Sequence, residues 1–127
     1  MHLRPFYTRG PNMNHTYAAM IAEVSEWIDA SNAGRDPEAI TWGRLAKIAE
    51  ENGEVIDAYI GATGQNPRKG IYKTMDDVRK ELLDVAFTAL AAYEHVTNHN
   101  GRSLSALAEH IVFLHKRAGA VVESPQP

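Results

Sequence analysis

Four carboxylates carry the chemistry open to this chain. They fall in two short runs, Glu50-Glu51-Asn52-Gly53-Glu54-Val55 and Lys80-Glu81-Leu82-Leu83-Asp84-Val85. In each run two acids stand three residues apart, Glu51 with Glu54 and Glu81 with Asp84, which puts both on one face of a helix. Stepping about 100° per residue from Glu51, the apolar Val55, Ile48, Tyr59, Leu45 and Ile56 fall between about 40° and 140°, with Glu54 at about 300°. From Glu81, Val85, Val78, Ala89, Leu82 and Tyr93 fall between about 40° and 120°, with Asp84 again at about 300°. Both pairs therefore occupy the same edge of an apolar stripe, and stripe packed on stripe brings four carboxylates into one cluster. Two such charges about 4 Å apart repel by about 4 kcal/mol at an effective dielectric near 20. A divalent cation that prefers oxygen (Mg²⁺, Mn²⁺ or Ca²⁺) relieves that repulsion. The chain has no cysteine, and no histidine lies at helical spacing from these acids, so zinc and copper fit poorly. One such pair is ordinary solvated surface; two in matching phase point to a metal.

The elements that must position these acids are helices. The 127 residues fit one domain, and 44% hydrophobic with 23% charged residues excludes a disordered or fibrous chain. A net charge of −3, from 13 basic and 16 acidic residues, gives no basic surplus for nucleic acid. No apolar run reaches the length of a membrane span, and the first ten residues lack the apolar core of a secretory signal. A cytoplasmic location is expected. Residues 1–14 read as an irregular arm and 120–127 as a polar tail. Between them the apolar spacing predicts four helices and no strand. The first runs from about Thr16 to Ser31. The second starts at Asp36-Pro37-Glu38, a capping acid before Pro at the first helical position, and runs to about Ile60, closed by Gly61 and Gly64. The third runs from about Met75 to Thr97 behind the capping-box residues Thr74 and Asp77. The fourth is capped by Ser103 and runs to about Ala118. The fold class expected is all-α, a four-helix bundle-like arrangement. Gly53, inside the second helix at a cost of about 1 kcal/mol against Ala, leaves room for a ligand or a close helix contact.

Glu51-x-x-Glu54, a gap of some two dozen residues, and Glu81-x-x-Asp84 resemble the signature of the MazG-like all-α nucleoside triphosphate pyrophosphohydrolases. The likeness extends from about Trp42 to Arg117 and includes the loop Asn66-Pro67-Arg68-Lys69-Gly70. It implies a MazG-like helical domain over 15–119, assembled as a homodimer or dimer of dimers. Glu51, Glu54, Glu81 and Asp84 are then the ligands of Mg²⁺ (or Mn²⁺). The implied reaction cleaves a nucleoside triphosphate between its α and β phosphates, giving the monophosphate and pyrophosphate. The last helix departs from the pattern: His110 and Leu114 stand where relatives often have Lys and Asn, while the basic run His115-Lys116-Arg117 is kept.

A bridging divalent ion reconciles four acids with a polyanionic substrate and acidifies a water held in line with the scissile phosphorus. Glu50 or Glu54 is the candidate base for that water. Lys47, Arg68, Lys69, Lys116 and Arg117 are the candidate phosphate-binding cations. Lys47, at about 320° on the helix-two wheel, is the best placed, although an ion pair with Glu51 at i+4 is its simplest role. A related hydrolase of phosphoribosyl-ATP shares this chemistry. The competing class is a non-catalytic dimerisation or partner-binding module whose acids are only surface charge.

Other features are read as structural. His95 and His99 are four apart but lie at a helix end beside Asn98 and Asn100, so a solvated end is expected. No Glu-x-x-His occurs, which disfavours a di-iron bundle. The 66–70 loop lacks the glycines and the Lys-Ser/Thr ending of a P-loop. Trp27, Trp42, Tyr59 and Tyr93 are expected in the core or in contacts between copies.

Overall fold

Three helices begin on a side chain that satisfies their first free amides. Thr16 Oγ1 accepts from the Ala19 N–H at 3.1 Å, and Asp36 Oδ2 accepts from the Ala39 N–H at 3.0 Å with Pro37 at the first position. Thr74 and Asp77 form the reciprocal box, the Asp77 carboxylate accepting from the Thr74 N–H at 2.8 Å. In the computed structural model, which describes residues 16–122, the chain is all-α: α1 (Tyr17–Ser31), α2 (Pro37–Thr63), α3 (Met75–Val96) and α4 (Ser103–Val122). The described residues contain no strand, and no helix among them is long and apolar enough to cross a membrane. The arm read over 1–14 lies outside the described residues, as does 123–127; α4 continues to Val122, into the segment read as tail.

Two glycines divide the end of α2. Gly64, at φ 67°, is the left-handed cap, whereas Gly61 stays inside the helix. A Cβ on Gly61 would lie 2.6 Å from Lys73 Cγ and 2.9 Å from the Tyr72 ring. The Gly61 carbonyl accepts from the Tyr72 N–H at 3.0 Å, so the returning chain rests directly on the helix backbone there. Tyr72 Oη adds a 2.7 Å bond to Asp57 Oδ1.

The α2–α3 pairing is the most extensive in the fold; α1 packs on α3, and α4 touches α3 and α1. Among the described residues, only Ile21, Ala58, Val78, Ala91 and Ala92 are buried apolar residues. Many larger ones are exposed, among them Trp42 (66%), Leu83 (69%), Ile111 (55%) and Phe113 (55%). Trp27, Tyr59 and Tyr93 are exposed as well, so none of the four aromatics expected in the core or between copies is in the core of the single chain.

Polar groups fill much of the interior. Arg44, at 7% exposure, donates to Asp29 Oδ1 (2.8 Å), Ser25 Oγ (2.8 Å), the Ala91 carbonyl (2.9 Å) and the Ser25 carbonyl (3.2 Å), joining α1, α2 and α3. The solvated end expected of His95 and His99 is corrected here. His95 Nδ1 lies 2.6 Å from Asp29 Oδ2 and its Nε2 2.8 Å from Thr41 Oγ1, while His99 Nε2 lies 2.9 Å from Ser25 Oγ. Asp29, from 66 positions earlier in the chain, draws the first ring inward.

The α3–α4 corner is held by a residue inside α3. Asn98 and His99 are both left-handed, at φ 57° and 58°. Glu94, fully buried, accepts from the Gly101 and Ser103 N–H groups at 2.9 Å each, so it caps α4 in the role expected of Ser103. Burial works to raise the Glu94 pKa. The Ser103 and Gly101 amides, with His99 nearby, overcome it and hold the carboxyl below its ordinary 4.5. A carboxyl whose pKa falls on folding stabilises the fold above its unfolded value and loses that contribution as pH drops through the folded one. Glu94→Gln is therefore expected to lower stability by about 2 kcal/mol at pH 7, a gap that closes below about pH 4.5. Urea titrations of both chains across that range measure it.

Candidate metal centre

The α2–α3 pairing brings three of the four predicted acids together. One carboxylate oxygen each from Glu51, Glu81 and Asp84 lies within 4.8 Å of the others. Glu51 and Glu81 are half-buried and Asp84 is exposed, so the group opens to solvent on one side. Two oxygens that share an ion at about 2.4 Å stand at most about 4.8 Å apart, so the spacing suits one hard divalent cation. Glu81 Oε2 is buried and has no hydrogen-bond partner among the described residues. A buried, unpartnered carboxylate oxygen is costly, and a cation is the partner that its charge calls for. Three carboxylates match the oxygen-only donor set of Mg²⁺, Mn²⁺ or Ca²⁺.

Glu54, one turn beyond Glu51, is exposed and is not part of this group. Asp84 has the same offset of about 60° from Glu81 and joins the group, so the spacing of three does not by itself part Glu54 from Glu51; the rotation of α2 against α3 does. Glu50 is engaged elsewhere: the Lys47 ammonium lies 3.0 Å from Glu50 Oε1 and 3.4 Å from Glu51 Oε1. The hydrogen bond to Glu50, then the one to Glu51, holds Lys47 above its ordinary pKa against the lowering effect of desolvation. Lys47 is thus the protein's own cation at the rim, and half of its side chain remains open to solvent.

The other predicted cations stand apart from the three acids. Arg68 and Lys69 lie on the loop beyond α2, which runs on from Glu51 to Thr63, about 18 Å of helix. The Lys69 ammonium sits 5.4 Å from the Tyr72 ring centroid. Lys116 and Arg117 are exposed on α4, with Arg117 5.7 Å from the Phe113 ring centroid. None of the four pairs with Glu51, Glu81 or Asp84 among the described residues. Gly53 makes no close contact: a Cβ there would meet nothing within 4 Å.

Sequence reasoning passed over Arg44, Asp29 and Ser25. A signal was present for Arg44, which falls at about 20° on the helix-two wheel, at the border of the apolar stripe. A cation in that position must find buried partners. Also passed over was a cavity of about 440 Å³ beside the acids, between α1, α2 and α3, with Lys47 on its rim.

Because the three acids repel one another, neutralising one relaxes the metal-free protein. Asp84→Asn, at an exposed position, is expected to raise the melting temperature in chelator by a few degrees, about 1 kcal/mol. The unaltered chain is expected to melt higher in millimolar Mn²⁺ and the variant to lose that shift; differential scanning fluorimetry reads both. No family model matches the chain, and neither a curated protein nor a solved structure matches it.

Proposed function

We propose that this protein is a divalent-metal-dependent nucleoside triphosphate pyrophosphohydrolase of the MazG-like kind, releasing pyrophosphate and a nucleoside monophosphate. The observation that carries this reading is the meeting of Glu51, Glu81 and Asp84 within 4.8 Å, with one oxygen of Glu81 buried and unpartnered. Glu51, Glu81 and Asp84 would hold Mg²⁺ or Mn²⁺, which would supply charge neutralisation for the phosphates and acidify a bound water. Glu54 faces solvent one turn away, and no ion pair among the described residues occupies it, so it is the base that takes the proton from the attacking water. Glu50, held by Lys47, is the weaker candidate. Lys47 meets the phosphate chain as it enters, exchanging its contact with Glu51 for one with a phosphate oxygen. Arg68, Lys69, Lys116 and Arg117 reach a substrate only if a neighbouring copy brings them to it.

The exposed apolar surface supports association into a homodimer or larger assembly, completing a bundle that one chain leaves open. Along α4, Leu104, Leu107, Ile111 and Leu114 recur at spacings of three and four, the pattern of a helix packed along its length; Leu107, Ile111 and Leu114 are exposed. The same surface favours a second reading, a non-catalytic assembly module.

Hydrolysis separates the two. The unaltered chain in Mg²⁺ is expected to release pyrophosphate from a panel of ribo- and deoxyribonucleoside triphosphates, with phosphoribosyl-ATP included as the related alternative. Glu54→Gln and Asp84→Asn are expected to lose at least about 100-fold in rate with their helical circular dichroism intact. Undiminished rates in both variants overturn the assignment of these residues. Light scattering is expected to give a mass of at least two 14.0 kDa chains.

A further inference from the structure

The cavity between α1, α2 and α3 adjoins the carboxylate cluster, and Lys47 belongs to both: it contacts Glu51 and lines the cavity rim. On the α3 side, Phe87 lines the cavity one turn beyond Asp84. A ligand whose phosphates sit at the acids has this cavity within reach of its remaining part. The volume of about 440 Å³ is within the range of small-molecule sites.

Its chemistry selects the occupant. Ile28, Ile40 and Phe87 make the walls apolar. The Arg44 guanidinium behind them already donates to Asp29, Ser25 and Ala91, so no unpaired charge faces the interior. Asn32 and Arg35 add polar groups to the lining, and no ion pair among the described residues claims Arg35. Apolar walls with a few polar groups suit a flat, uncharged ring system with hydrogen-bonding edges.

Gly43 supplies an independent observation. It lies within α2, where glycine costs about 1 kcal/mol against alanine, and it lines the cavity. A Cβ there would meet no atom within 4 Å, so no contact inside the chain requires a glycine. Gly43 thus leaves that stretch of the cavity lining without a side chain.

We propose that this cavity binds the heteroaromatic base of the nucleotide whose phosphates engage the Glu51–Glu81–Asp84 centre. The inference rests on the function proposed above and is tested so that the two can fail separately. Calorimetric titration in Mg²⁺ compares an α,β-methylene nucleoside triphosphate, which resists cleavage, with inorganic tripolyphosphate, which has no base. The unaltered chain is expected to bind the nucleotide at least about tenfold more tightly. Gly43→Leu, which fills the cavity, is expected to erase that preference while leaving tripolyphosphate affinity within about twofold. Gly43→Ala, which improves helix propensity, reports if the larger side chain prevents folding, and is expected to narrow the preference about twofold or more. Equal binding of both ligands by the unaltered chain, or a preference that survives in folded Gly43→Leu and Gly43→Ala, overturns the base site while the phosphate chemistry stands. Failure of both ligands to bind overturns the proposed function and the base site together.

Discussion

A buried guanidinium forms only when its charge and its donors are met, because a cation taken out of water without partners costs several kcal/mol. Arg44 meets that condition through Asp29 and Ser25 of α1 and the Ala91 carbonyl of α3. Asp29 in turn holds His95, and Ser25 contacts His99, so a single α2 side chain fixes how three helices cross. With so few apolar side chains buried, this network takes on part of the ordering that a hydrophobic core usually supplies. Any packing that left Arg44 without these partners would be penalised far more than one that shifted an alanine.

The site depends on that network indirectly. Glu51 lies about two turns along α2 from Arg44, and Glu81 and Asp84 lie two to three turns before Ala91 on α3. Pinning Arg44 to the Ala91 carbonyl therefore sets how far α2 and α3 slide and rotate against each other. The carboxylates meet because their helices are fixed elsewhere, against their own repulsion. Lys47 offsets part of that repulsion at the rim, and Glu81 keeps one oxygen inside without a partner.

Helix beginnings were legible because capping is local: Asp36-Pro37 and Thr74-x-x-Asp77 act within four residues. The end of α2 was legible only in part. Gly61 and Gly64 look alike in sequence, but Gly64 is needed for a left-handed turn and Gly61 for the approach of Tyr72 and Lys73, a contact between α2 and the chain returning to α3. The convergence of Glu51, Glu81 and Asp84 followed from helical phase, but the exclusion of Glu54 did not, since Asp84 stands at the same angle from Glu81 and is included. The fate of His95 was not legible. Its burial depends on an aspartate 66 residues away, and periodicity within one helix carries no information about such a partner.

The tight seating of Gly61 under Lys73 and Tyr72 also governs where the chain can change length. Each residue added to α2 between Glu51 and Gly61 would turn one relative to the other by about 100° and advance it by about 1.5 Å, throwing the acids out of alignment with α3. Between Gly64 and Gly70 the backbone is outside both helices, and extra residues there would lengthen the tip without disturbing what lies below the clamp. Within the α2–α3 hairpin, length changes are therefore tolerated at the tip, while the ten-residue interval from Glu51 to Gly61 is held to a fixed count.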